Sequence, residues 1–194
     1  GSIACFKACE VVSALIKNGA EVQTCATKNA LNFIGEATLE GLTHKKVYHE
    51  MFESGSYLKH IELNSWAELT LLCPATANII NKTAAGIADD FASTLLAAND
   101  YKKPFLIAPA MNVNLYLNPA TAESIEKLKK RGVVFIGPET GLLACGVKAI
   151  GKMKITDGES NALKFFGKDE IPTLESRAAK IIEWLIREKN ILEQ

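Results

Sequence analysis

Four short segments hold residue types that could bind a ligand: Gly1-Ser2-Ile3, Ala26-Thr27-Lys28, Pro74-Ala75-Thr76-Ala77-Asn78 and Pro109-Ala110-Met111-Asn112. Each follows an apolar run that reads as a buried strand, or stands where such a strand belongs. Ligands of open α/β sheets bind at the carboxyl ends of the strands. Small residues there let backbone approach a ligand closely. Ser2, Thr27, Thr76 and Asn78 offer donors beside helix N-termini, where phosphate is favoured. Taken singly, each reads first as an ordinary helix cap.

Two further residues could move protons. His60, in Lys59-His60-Ile61-Glu62-Leu63, carries an imidazole suited to neutral pH, although a structural histidine is the commoner case. Cys145 stands in the glycine-containing run Gly141-Leu142-Leu143-Ala144-Cys145-Gly146, where a thiol can act as acid, nucleophile or redox group. A buried thiol pinning a loop is its structural counterpart. Asn112 follows an apolar strand, and its amide could bind a carboxylate; a turn asparagine is an equal reading. His44 and His49 read as solvated residues, and the three histidines lack metal-ligand spacing. Asp89-Asp90 reads as the cap of a helix from Phe91.

The elements that must position these residues follow from periodicity. A helix is expected over Ala4 to Lys17, closed by Asn18-Gly19. A strand is expected over Glu21 to Ala26 and another over Trp66 to Cys73, with a helix over Thr76 to Ala85. Pro104 to Ala108 and Val133 to Ile136 read as buried strands, and a helix starts at Asn118-Pro119 and ends near Arg131-Gly132. Nearly all-apolar strands alternating with helices predict a parallel sheet covered on both faces. Gly1-Ser2 reads as the turn between a strand and its helix, so a strand is expected before Gly1. The segment from Gly151 to Pro172 reads as irregular, and Leu174 to Glu193 as an amphipathic helix with Trp184 on its apolar side. The whole reads as one domain.

Composition narrows the partners. Of 194 residues, 22 are basic and 22 acidic, a balance that gives no bulk attraction to nucleic acid or anionic membrane. No apolar run is long enough to cross a bilayer, and the start lacks the pattern of a signal peptide. The five cysteines are odd in number and show no C-x-x-C spacing, which suits buried thiols of a reducing, cytoplasmic compartment.

In their order along the chain, these segments are more specific than any one of them. Gly-Ser-Ile-Ala, then His60 before Trp66-Ala67-Glu68, then Pro-Ala-Thr-Ala-Asn, Pro-Ala-Met-Asn and Ala-Cys-Gly resemble the homo-oligomeric flavin-containing cysteine decarboxylases. Within them the pattern looks most like the phosphopantothenoylcysteine decarboxylases, including the N-terminal half of a bifunctional coenzyme A enzyme. The resemblance runs from Gly1 to about Met153. It implies a Rossmann-like (flavodoxin-like) subunit that binds FMN at a subunit contact, in a homotrimer or homododecamer, with a ligase domain possible in the full-length protein.

Site roles follow from the same resemblance. Gly1, Ser2, Ile3, Thr27, Lys28, Thr76, Ala77, Asn78 and Ala110 match cofactor-binding positions. His60 matches the catalytic histidine. Asn112 matches the residue that holds the substrate carboxylate, with Met111, Leu143 and Ala144 beside it, and Cys145 the acid of a substrate clamp. The implied reaction turns 4′-phosphopantothenoylcysteine into 4′-phosphopantetheine by oxidation of the thiol-bearing carbon, loss of carbon dioxide, and reduction with a proton from Cys145. The alternatives are a peptidyl-cysteine (lantibiotic-type) decarboxylase, which stops at the enethiol, and a non-catalytic regulatory flavoprotein. The chain departs from the pattern at Leu115-Tyr116, Glu68, Ala149 and Lys152.

Overall fold

The computed structural model describes residues 1–53, 57–142 and 148–152. Its centre is a parallel sheet of three strands in the order β1-β2-β3: β1 Thr70–Ala75, β2 Phe105–Pro109 and β3 Val134–Phe135. β2 is buried along its whole length, as a strand covered on both faces must be. Its alternate residues separate two cores. Leu106 and Ala108 pack with Val11, Leu15, Val134 and Ile136 on one face. Phe105 and Ile107 pack with Ile80, Leu96, Ile125 and Leu128 on the other. The fold is α/β and Rossmann-like.

Helix α1, Cys5–Lys17, buries Val11, Val12 and Leu15, an i, i+1, i+4 stripe that meets the first core. It ends at Asn18 and at Gly19, whose φ of +83° falls in the left-handed region. Short helices α2 (Lys28–Leu31), α3 (Glu36–Thr43) and α4 (Lys59–Trp66) precede β1. Helices α5 (Ala77–Ala85) and α6 (Phe91–Ala97) lead to β2. After β2 come α7 (Val113–Tyr116) and α8 (Pro119–Lys130). Asn118 caps α8 by accepting from the Ala120 N–H at 3.0 Å, with proline in its first turn. Asp90 and Ser93 form the expected cap of α6, a reciprocal capping box.

Three expectations need correction. Trp66 to Cys73 is not one strand: Trp66 ends α4, and the strand starts at Thr70. Glu21 to Ala26 forms no ladder; it makes a single parallel bridge, Cys25 to Tyr48. The Ala26 N–H and Thr24 carbonyl are taken up by Tyr48, while the other side of the segment lines a cavity where a ladder partner would lie. The expected irregular segment also begins too early, because Gly151 and Lys152 belong to β5, Lys148–Lys152, which pairs antiparallel with β4, Glu139–Leu142; its remainder to Pro172 lies outside the described residues. The expected helix from Leu174 to Glu193 lies outside the described residues. Among the described residues no helix is long and apolar enough to cross a membrane.

Candidate functional site

Three of the four segments converge on one cavity. Gly1, Thr27, Lys28, Thr76, Ala77 and Asn78 all line its mouth, at the carboxyl end of β1. Gly1 seats directly on the start of α2: a Cβ there would lie 2.8 Å from the Asn29 carbonyl carbon and 2.9 Å from the Ala30 nitrogen. Only glycine fits that approach. Ile3, beside it, is 60% exposed and lies apart from the cavity.

The hydroxyls in these segments are not equivalent. Thr27 is the N-cap of α2 and accepts from the Ala30 N–H at 3.2 Å, as a capping threonine should. Thr76 is the N-cap of α5 yet makes no side-chain cap bond. Ser2 Oγ is buried and has no hydrogen-bond partner among the described residues. A buried hydroxyl without a partner carries a desolvation penalty, which a ligand acceptor or donor would relieve. So the cavity mouth combines a glycine approach, one uncommitted hydroxyl and the N-terminus of a nine-residue helix, and the orphaned Ser2 hydroxyl follows Gly1 in the chain. That set suits a phosphate-bearing ligand. Lys28 adds a cation at the rim, held 3.0 Å from Glu50.

The fourth segment stands alongside. The Ala110 N–H donates to the Ala75 carbonyl at 2.9 Å, tying the end of β2 to the end of β1. Met111 packs against the second core. Asn112 is the N-cap of α7, and its Oδ1 accepts from the Asn114 N–H at 2.8 Å. None of Ala110, Met111 and Asn112 lines the cavity itself.

Two further strands, β4 and β5, form an antiparallel pair. β5 lies against α7. Leu142 pairs with Lys148. Leu143, Ala144 and Cys145 lie outside the described residues. Ala149 faces Gly141 across the ladder.

His60 is placed apart from the cavity, on the first turn of α4, half-buried. Its Nδ1 is buried and has no partner among the described residues, which distinguishes it from a histidine held by a structural hydrogen bond. His49 corrects its reading as a solvated residue: its side chain is only 18% exposed, and Nε2 lies 3.0 Å from Glu36. Burial pushes the thiols of Cys25 and Cys73 up to about 12, which fits inert core cysteines. No group of three potential metal ligands occurs among the described residues. Sequence reasoning missed Asn29, whose backbone receives Gly1, and Thr24, whose Oγ1 is buried and unpartnered among the described residues. The only available signal was position, just before and just after Thr27.

Comparison with known proteins agrees with this arrangement. The Flavoprotein family matches residues 1–160. The coenzyme A biosynthesis bifunctional protein CoaBC of Bacillus subtilis is 39% identical over 194 residues, covering 97% of this chain and 47% of that protein. CoaBC of Borreliella burgdorferi is 36% identical over 191 residues, covering 94% and 48%. The chain thus spans about half the length of these relatives. Among solved structures, a cysteine-to-serine variant of PPC decarboxylase complexed with pantothenoylaminoethenethiol superposes with a TM-score of 0.71 at 31% identity, covering 79% of this chain and 86% of that one. The FMN binding protein AtHal3 follows at 0.67 and 31%, covering 79% and 84%.

Proposed function

The chain belongs to the Flavoprotein family, and we propose that it binds FMN and decarboxylates 4′-phosphopantothenoylcysteine to 4′-phosphopantetheine in coenzyme A biosynthesis. One observation carries the reading. Three segments from different parts of the chain meet at a single cavity mouth, where the Thr76 hydroxyl makes no cap bond.

The residues present fit the flavin. Ser2 and Thr76 would hold its phosphate, with the N-terminus of α5 stabilising the charge. Gly1, Ile3, Thr27, Lys28, Ala77, Asn78 and Ala110 would shape the rest of its site. Bound FMN supplies reversible two-electron chemistry, so that the thiol-bearing carbon of the substrate can be oxidised before carbon dioxide leaves and reduced afterwards. Asn112 would donate its amide N–H groups to the carboxylate and fix the bond that breaks. Met111, Leu143 and Ala144 would line the same substrate site. His60, with its buried ring nitrogen, would handle a proton during oxidation. Cys145 would give a proton to the carbon skeleton in the reductive half.

We infer that the site is completed in a homotrimer or homododecamer, with His60 acting across a subunit contact. This accounts for its absence from the lining of its own chain's cavity. Ile3, Phe6, Phe33, Phe52 and Ile61 all stand exposed, and such side chains are candidates for burial at a subunit contact. In the full-length protein a ligase domain would accompany this one, as in bifunctional relatives.

The test is reconstitution with FMN followed by mass analysis of products from 4′-phosphopantothenoylcysteine. The wild type should turn yellow, release carbon dioxide and yield the saturated thiol. Cys145→Ser should still decarboxylate but accumulate the enethiol. A protein that takes up no FMN refutes the reading, and full turnover by Cys145→Ser removes that residue from the mechanism. A peptide with a C-terminal cysteine as the better substrate would redirect the proposal to peptidyl-cysteine decarboxylation.

A further inference from the structure

Helix α4 carries His60, yet apolar burial within the chain does little to place it. None of its eight residues is buried. Ile61 and Trp66 are exposed, and Leu63 is half-buried. Its N-cap, Leu58, makes no side-chain bond, and the Lys59–Glu62 pair stays within the helix. A short helix with so little apolar footing depends on its polar ties to the rest of the fold.

Those ties converge on Asn64. Its Nδ2 donates to the His60 carbonyl one turn back at 2.8 Å, and to the Leu95 carbonyl of α6, also at 2.8 Å. Leu95 lies in the last turn of α6, where carbonyls lack helical partners, and the Asn99 N–H that helical register would bring to it goes to Leu96 instead. Asn64 Oδ1 accepts from the Asn99 amide at 3.3 Å, and that amide also donates to Thr70 Oγ1, at the start of β1, at 3.3 Å. Asn99 is itself fixed, its Oδ1 accepting from the Tyr101 N–H at 2.9 Å. Lys103 closes the end of α4 by donating to the Asn64 and Ser65 carbonyls at 3.0 and 2.7 Å. Asn64 thus commits its NH2 group to two carbonyls, and turning the amide over would set oxygen against oxygen.

We propose that Asn64 is a positioning residue for His60, tying the carbonyl of the histidine to the end of α6 and so fixing where the imidazole stands. The role rests on the reading of His60 as a proton carrier. Geometry sets the size of the effect. The anchored half of α4 begins at Asn64, and His60 lies four residues back, about 6 Å along the axis at ~1.5 Å per residue. A pivot of about 10° at Asn64 moves His60 by roughly 1 Å, and a displacement of that size can cost about a hundredfold in rate. The buried Nδ1 of His60 has no partner among the described residues, so no bond at that nitrogen resists the pivot.

The test uses the FMN-loaded protein. Asn64→Asp keeps the shape and the acceptor for Asn99 and removes both donors. With 4′-phosphopantothenoylcysteine its kcat should fall about tenfold or more, while KM and FMN affinity stay within about twofold of wild type. Histidine ring NMR gives a readout apart from activity. The chain has three histidines, His44, His49 and His60, so each signal is assignable by substitution. The His60 signals should shift or broaden in Asn64→Asp while those of His44 and His49 stay unchanged. Asn99→Ala frees the Asn64 oxygen but leaves its donors; it should show the same pattern at smaller amplitude, and it decides the matter if Asn64→Asp does not fold. His60→Gln is the reference. If it loses activity while Asn64→Asp keeps its kcat, the proposal is overturned. Unshifted His60 signals also overturn it, as does an equal loss in kcat, KM and FMN affinity, the mark of a loosened fold. If His60→Gln keeps the wild-type rate, the reading of His60 fails instead, and the ring signals alone decide whether Asn64 positions it.

Discussion

Thr27 and Thr76 occupy equivalent positions, each the N-cap of a helix at the cavity mouth, but the structure assigns them opposite energetic roles. Thr27 spends its Oγ1 on the Ala30 N–H at 3.2 Å. Replacing it with alanine should cost the apoprotein about 1 kcal/mol, the usual loss for a capping hydroxyl. Thr76 makes no such bond. Thr76→Val keeps the shape and removes a hydroxyl that the folded apoprotein does not use, so its stability should stay within about 0.5 kcal/mol of wild type. In the complex the same hydroxyl would meet a charged phosphate oxygen. Losing a hydrogen bond to a charged group costs about 1.5–3 kcal/mol, or roughly ten- to a hundredfold in affinity. Urea denaturation of the apoprotein and quenching of flavin fluorescence on binding measure the two quantities separately. Thr76→Val should weaken FMN binding without destabilising the fold. A Thr76→Val protein that loses 1 kcal/mol or more while binding FMN normally would refute the reasoning, since its hydroxyl would then be a cap after all.

Other outcomes follow from single contacts. His60→Gln should lower the decarboxylation rate by about a hundredfold or more while leaving FMN affinity close to wild type; an unchanged rate would return His60 to a structural role. Asp90→Ala removes the acceptor of the Ser93 N–H bond at 2.7 Å and opens the capping box of α6. It should cost about 1 kcal/mol in chemical denaturation, and no loss would mean that packing of Phe91 alone holds the helix. Asp89 is held below the ordinary carboxylate range, chiefly by its hydrogen bond from Lys82 and also by that from Ser93. A depressed folded-state value means stability that is present above the ordinary carboxylate pKa and lost as pH falls through the lowered one. Asp89→Asn should therefore lower the thermal midpoint slightly at pH 7 and not at all in strong acid, and high salt should shrink the difference because the pair is exposed. A difference that grows on acidification would contradict that sign.

The local code of this chain is readable residue by residue. β2 is apolar at every position because both faces are covered, and that run is legible without coordinates. So are the ends of α1 and α8, where Asn18-Gly19 and Asn118-Pro119 act through their own backbone preferences. The order of the loops was enough to indicate the family. What remained open were questions of partnership. Thr27 and Thr76 read alike until one was seen to spend its hydroxyl and the other not. The pairing of β4 and β5 was invisible because it joins residues with no alternating apolar pattern, yet it is what accompanies β5 against α7. Glu21 to Ala26 has strand-forming residues, but a strand exists only where a neighbour supplies the other half of the ladder, and among the described residues Tyr48 supplies a single bridge. Propensity and capping act within a few residues and are written in the chain. Hydrogen-bond satisfaction and cavity shape depend on groups far apart in sequence, and only folding brings them within reach of each other.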